Sequence, residues 1–337
     1  MLTNLQAMRA FAAIAVMLFH FALMPATSLP FKIGAFGVDL FFVLSGFIIA
    51  HSAARSSRHF LAHRLIRVLP PYWIATLIAV LPTLPALGLA AAGGWLVQSL
   101  FYLPGPGGRP ALIFVGWTLV YELGFYLLYW LALRLGTRLA PFACLALLAI
   151  LAFVPLPRGL GPWPLLLEFA MGICIYLAVE RTDTLRAIPG AAGLALAATG
   201  LAMLLILPRL TGYTPDDYQS PWRVVTWGLP AAAVVLGLVV AEKGGLAIRN
   251  RFVLLLGGAS YAIYLLHPIA VGQLFQLAPR PAPLSWLFCL GAATVTIAVS
   301  IAFYLWIEAP LLRLLRGLLR DRPPVVQAET PAVAPGA

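Results

Sequence analysis

Ten stretches of this chain stay apolar for roughly twenty residues at a time. They cover approximately 5–24, 35–52, 68–90, 111–134, 139–156, 162–180, 187–207, 223–241, 252–277 and 284–312. A helix needs about 20 apolar residues to cross the hydrocarbon of a bilayer. In lipid, each backbone N–H and C=O must find its partner inside the protein, and a helix supplies those partners within one segment. The expected fold is therefore an all-α polytopic membrane protein with about ten transmembrane helices. The third stretch holds Pro82 and Pro85, which predict a kink or break, and the fifth is short. Charged residues make up 10% of the 337-residue chain, against about 25% in a soluble domain.

The net charge of +11 would suit a nucleic-acid binder, but the arginines sit between the apolar stretches. That is the pattern of the positive-inside rule, and it points away from nucleic acid. With the N-terminus in the cytoplasm, 15 of the 22 Lys and Arg fall in cytoplasmic loops, six fall outside, and Arg9 starts the first helix. Both termini are then expected in the cytoplasm. The first apolar stretch follows Arg9 as a signal peptide would, but no small-residue cleavage site follows it. It reads as an uncleaved span. Residues 1–320 form the expected membrane domain. The Pro- and Ala-rich segment 321–337 reads as a disordered cytoplasmic tail. The composition, rich in Ala, Leu, Pro and Arg and nearly free of Lys, suggests a GC-rich bacterial genome. Cys144, Cys174 and Cys289 lie within apolar stretches and form no CxxC pair. They predict neither zinc nor a disulfide framework.

Ionisable groups inside a bilayer are costly and mark functional sites by default. Arg9 and His20 are separated by ten apolar residues. Eleven steps of 100° bring them within about 20° of one another after three turns, with a rise of about 16 Å. They share a helix face at different depths. Arg9 at the edge has an ordinary use in snorkelling; His20 lies too deep for that. Asp39 begins the second span near its outer end, where it is a charge partner for His20, a ligand for polar substrate, or a wetted carboxylate. Gly37 and Gly46 in the same span allow close helix approach.

Arg64 and Arg67 precede the third span, one turn apart on one side of a helix. Paired arginines suit phosphate groups. His59 and His63 share metal-like spacing but lack an acidic neighbour, so no metal site is expected. Glu122 lies in the fourth span among Trp117, Tyr121, Phe125 and Tyr126. This is either an interfacial aromatic belt or a sugar-binding patch. Ser260, Tyr264 and His267 follow one another at helical spacing and share a face. Such a polar stripe should face the bundle interior. Glu168 reads as wetted from the outer side, and Glu308 as the structural partner of a basic residue on a neighbouring helix.

Taken in order, these segments resemble acyltransferase family 3, the integral-membrane bacterial O-acyltransferases. The matching pieces are Arg9 and His20 with ten residues between them, GVDLFFVLSGFII, RLIRVLPPYW, WTLVYELGFY, SYAIYLLHP and the late IEAP. The resemblance implies transfer of an acyl group, usually acetyl, from cytoplasmic acyl-CoA to a hydroxyl of a surface polysaccharide, lipopolysaccharide or other glycan. It maps the family's Arg–His pair onto Arg9 and His20. Its acyl-CoA arginines map onto Arg64 and Arg67, and its tryptophan–glutamate helix onto Trp117 and Glu122. Acyl-CoA is then a substrate, no cofactor is permanently bound, and the location is the bacterial inner membrane. Some members carry an esterase-like domain after the membrane part; only a short tail follows Arg322, so none is expected here.

The expected catalytic residues are His20, Asp39 and Glu122. His20 acts as general base on the acceptor hydroxyl, or carries the acyl group as a covalent relay. Arg9, Arg64 and Arg67 hold the acyl-CoA, and Trp117, Tyr121, Ser260, Tyr264 and His267 line the substrate site. A secondary transporter, or a polysaccharide-export partner without acyl-transfer chemistry, is the alternative. Neither requires Arg64 and Arg67.

Overall fold

The structure is a computed structural model that describes residues 2–23, 34–103, 109–153, 163–180, 188–214, 220–277 and 286–319. The tail 321–337 and the loop residues Lys32, Arg158, Arg181, Arg186, Arg280 and Arg320 lie outside these ranges.

The described residues form helices and contain no strand. In chain order they are α1 (Thr3–Ala22), α2 (Gly37–Arg55), α3 (Phe60–Val80), α4 (Leu84–Leu100), α5 (Trp117–Ala132), α6 (Ala140–Phe153) and α7 (Leu166–Glu180). These are followed by α8 (Gly190–Thr211), α9 (Leu229–Lys243), α10 (Arg251–Gly258), α11 (Ser260–Leu277), α12 (Trp286–Phe303) and α13 (Ala309–Leu318). Single π turns, Val224–Gly228 and Tyr304–Glu308, lead into α9 and α13. Among the described residues, seven helical segments are long and apolar enough to cross a membrane, and eight when the bent pair α10–α11 counts as one. The shorter α6 and α7, of 14 and 15 residues, occupy the fifth and sixth apolar stretches. Large apolar side chains such as Leu89, Phe153 and Trp306 stand on the outside, as a lipid-facing surface requires.

Two boundaries differ from the sequence reading. The third span starts at Phe60 rather than 68, so Arg64 and Arg67 lie within α3. A helix can run past its apolar stretch when long basic side chains at its end reach polar surroundings. With α4 it makes a 41-residue segment. That segment is broken near the expected prolines by a 3₁₀ turn at Leu81–Thr83, and again at Gly88, whose φ is +73°. The ninth span is two helices bent by 64°. Gly257 and Gly258 weaken the helix there and allow close approach. A Cβ on Gly257 would collide with the Gln6 carbonyl oxygen, and one on Gly258 would lie 2.9 Å from the Tyr304 hydroxyl.

Helix α1 is central, touching α2, α9, α10, α11 and α12. Its free N-terminal donors are met by a carboxylate. Thr3 N donates to Glu242 Oε1 and Asn4 N to Oε2, both at 2.8 Å. The anion also complements the helix dipole. The Asn4 side chain donates to the Leu246 carbonyl at 2.8 Å and accepts from Ile248 N at 2.8 Å, tying α1 to the α9–α10 connection. Small residues set the remaining spacings. Gly37 meets the Ala12 carbonyl of α1, Gly46 meets the Phe169 carbonyl of α7, and Gly193 of α8 packs on Gly237 of α9.

Candidate active site

Arg9 of α1 and Arg64 and Arg67 of α3 face one cavity of about 130 Å³. The same cavity is lined by Ser45, Thr118, Glu122, Tyr126, Ser260, Tyr261 and Tyr264. Six residues singled out in the sequence, from α1, α3, α5 and α11, thus meet in one place. The local turn chemistry of α3 contributes to this meeting. Pro70 and Pro71 lie inside α3 and offer no N–H to the carbonyls four residues back. In that region Tyr261 of α11 donates its hydroxyl to the Val68 carbonyl at 2.8 Å, docking α11 on α3.

The arginines are only partly satisfied by the protein. Arg64 donates to Ser52 Oγ and lies 5.5 Å over the Phe60 ring, yet its buried Nε has no partner. Arg67 reaches Glu308 Oε1 at 3.4 Å. Glu308 is fully buried, so its expected structural pairing is present, with Arg67. Arg9 senses the charges of Arg67, Glu308 and Glu122. Ser260 Oγ, also on the cavity wall, is buried without a partner. Three guanidinium groups against two carboxylates leave the pocket cationic, with unused donors for a polyanion.

The other end of α1 carries His20, which pairs with His267 of α11. His20 Nδ1 lies 2.9 Å from the Val16 carbonyl and 3.2 Å from Nε2 of His267. His267 is fully buried on α11, with Nδ1 3.1 Å from the Ile263 carbonyl. Phe114 packs edge-on against His20, with ring centroids 5.0 Å apart. Tyr264 joins this pair to the cavity. Its ring lies 5.7 Å from that of His267, while its hydroxyl is 2.7 Å from Thr118 Oγ1 and 3.2 Å from the Val115 carbonyl. Ser260 and Tyr264 therefore line the pocket, and His267 lies one turn further along the same face.

Glu122 stands on the cavity wall, its Oε1 accepting from Ser45 Oγ at 3.1 Å and from the Tyr126 hydroxyl. Trp117 and Tyr121, expected at the substrate site, pack edge to face, 5.9 Å apart at their centroids, and do not line this cavity.

Asp39 requires correction as a partner for His20. Its carboxylate is fully buried and takes a two-pronged ion pair from Arg223, with Nε–Oδ1 at 2.9 Å and Nη2–Oδ2 at 2.8 Å. Both of its oxygens are committed 184 residues along the chain. Arg223 is buried beside the first π turn, over the Trp227 ring at 5.1 Å. Glu168 is likewise fully buried rather than wetted, and it interacts electrostatically with Asp39 and Arg223.

Several wall residues were not singled out as site residues in the sequence. Tyr126 was recoverable from its i, i+4 relation to Glu122. Ser45, Thr118 and Tyr261 carry no such mark. Among the described residues, no group of three or more His, Cys, Asp or Glu side chains is gathered to hold a metal.

A helical bundle whose central helix contributes Arg9 to a cationic pocket and His20 to a histidine pair with the buried His267 of α11 is built for polar chemistry inside a membrane. The comparisons give that chemistry a class. The chain matches the family described as "Acyltransferase domain", acyltransferase family 3, over residues 2–305, and it belongs to that family. It is an acyltransferase of the membrane-embedded kind, transferring groups other than aminoacyl groups. It is 32% identical over 317 residues to the exopolysaccharide production protein ExoZ of Rhizobium meliloti, covering 88% of this chain and 95% of that one. It is 26% identical over 391 residues to the acyltransferase MdmB of Streptomyces mycarofaciens, covering 98% and 96%. No solved structure matches significantly.

Proposed function

We propose that this protein transfers an acetyl group from cytoplasmic acyl-CoA to a hydroxyl of a surface polysaccharide at the bacterial inner membrane. The observation that carries this reading is that α1 contributes to two joined sites, Arg9 to one and His20 to the other. Arg9, Arg64 and Arg67 face one cavity, and Tyr264 connects its wall to the His20–His267 pair. The printed name of the Rhizobium relative, an exopolysaccharide production protein, supports a polysaccharide acceptor.

In this reading the CoA phosphates occupy the arginine end, where planar guanidinium forks suit phosphate oxygens. The pantetheine arm runs along α1, over about 16 Å by helix rise, and brings the thioester toward His20. A neutral hydroxyl is a weak nucleophile. Nε2 of His20 removes its proton as the oxygen attacks the thioester carbonyl. The tetrahedral adduct collapses, the C–S bond breaks, and the departing thiolate recovers the proton from the imidazolium. Glu122, held by Ser45 and Tyr126, presents a carboxylate to acceptor hydroxyls.

The test uses membrane vesicles containing the protein and the host's lipid-linked glycans, supplied with radiolabelled acetyl-CoA on the cytoplasmic face. Base-labile label should enter the glycan fraction and be absent without the protein. Label that stays in CoA or appears as free acetate under every condition overturns the reading.

A further inference from the structure

His267 lies too deep for contact with a bulky substrate, being fully buried behind Tyr264. Its hydrogen bonds define another role. A carbonyl oxygen only accepts, so Nδ1 of His267, 3.1 Å from the Ile263 carbonyl, carries a hydrogen. In the neutral ring, Nε2 then holds a lone pair. That lone pair faces Nδ1 of His20 at 3.2 Å, and Nδ1 of His20 also lies 2.9 Å from the Val16 carbonyl. Both neighbours of His20 Nδ1 are acceptors, so this nitrogen carries the hydrogen too. Nε2 of His20 is left as the nitrogen with a free lone pair.

We infer that His267 is a positioning residue that fixes the tautomer and ring orientation of His20 so that His20 Nε2 faces the reaction as a proton acceptor. The inference rests on the proposed role of His20 and assigns how that role is supported. The arrangement parallels the orienting group of a nucleophile–base–orienter triad, with a neutral imidazole where a carboxylate often stands. When His20 Nε2 takes a proton, its Nδ1–H still meets the lone pair of His267. A second proton on His267 Nε2 would set two N–H groups against each other, so the pair is built to hold one proton. The titratable side chains against the pair, among the described residues, are its two members and Tyr264; Phe19 and Phe114 supply apolar ring faces.

The experiment compares wild type with His267→Leu and His267→Gln in detergent-purified protein, with folding checked by thermal melting. The readouts are kcat and KM for acetyl-CoA across pH. Leucine removes the acceptor; glutamine keeps an oxygen that can accept from His20. The expected result is a kcat lower by about 100-fold in His267→Leu, with KM for acetyl-CoA unchanged. His267→Gln should keep at least about a tenth of kcat, with the acidic limb of its pH profile displaced. Should the leucine variant not fold, the glutamine profile decides: a displaced limb with unchanged KM supports positioning, and an undisplaced limb overturns it. A raised KM at full kcat also overturns it, because His267 would then hold substrate. His20→Ala separates the two levels. Loss of transfer in His20→Ala alongside full kcat in both His267 variants sinks this inference alone, whereas full transfer in His20→Ala sinks the proposed role of His20.

Discussion

Arg67 on α3 meets the fully buried Glu308, at the end of the second π turn, at 3.4 Å across 241 residues of sequence. The pair clamps α13 against α3 and holds one of the three cavity arginines in place. Replacing Glu308 with Gln leaves the guanidinium without its counter-charge. A double-mutant cycle on Arg67→Ala and Glu308→Gln, read by thermal or denaturant unfolding, should give a coupling energy of about 1–3 kcal/mol. Arg64→Ala and Arg67→Ala should also raise KM for acetyl-CoA by about 10- to 100-fold each, the worth of a lost charged hydrogen bond. Lysine should restore little, since it lacks the planar fork.

Asp39 and Arg223 bond through both oxygens and two nitrogens in a site where neither side chain is more than 3% exposed. Breaking a buried pair strands one charge and costs about 3–5 kcal/mol. Asp39→Asn should therefore lower the melting temperature strongly. The fraction that remains folded should keep its kcat, because the carboxylate faces Arg223 and not the cavity. A normal melting temperature with lost kcat would return Asp39 to the chemistry.

Gly46 of α2 and Gly172 of α7 let two backbones touch. A Cβ at Gly46 would strike the Phe169 carbonyl oxygen and lie 2.9 Å from its carbon. Backbone cannot yield as a side-chain tip does, so Gly46→Ala should push α2 from α7 and cost about 1–3 kcal/mol. Unfolding in detergent measures it. Gly124, with open space around its Cβ position, is the control: Gly124→Ala should be neutral or slightly stabilising, since alanine favours helix.

The helices were legible because lipid demands uncharged stretches of fixed length, and periodicity placed Ser260 and Tyr264 on the face that meets the cavity. The side shared by Arg64 and Arg67 was legible from their spacing. Partnerships between distant segments were not. Arg223, in SPWRVV, looks like any loop arginine until the fold buries it against Asp39. Glu308 carried an expected basic partner, but only packing identifies it as Arg67. The early start of α3 was hidden because a basic stretch next to an apolar one reads as loop. The 64° bend after Gly258 was hidden because the apolar stretch runs on unbroken through it.

The most direct test of direct transfer through His20 is one assay on purified His20→Ala protein in proteoliposomes. It measures radiolabelled acetyl-CoA binding and acetyl transfer to lipid-linked glycan on the same sample. Binding should match wild type, because Arg9, Arg64 and Arg67 are untouched. Transfer should fall by about 100-fold or more, and wild type without acceptor should accumulate no acetylated protein. Full transfer by His20→Ala would contradict the mechanism, and acetyl label trapped on His20 of the wild type would replace direct transfer with a covalent relay.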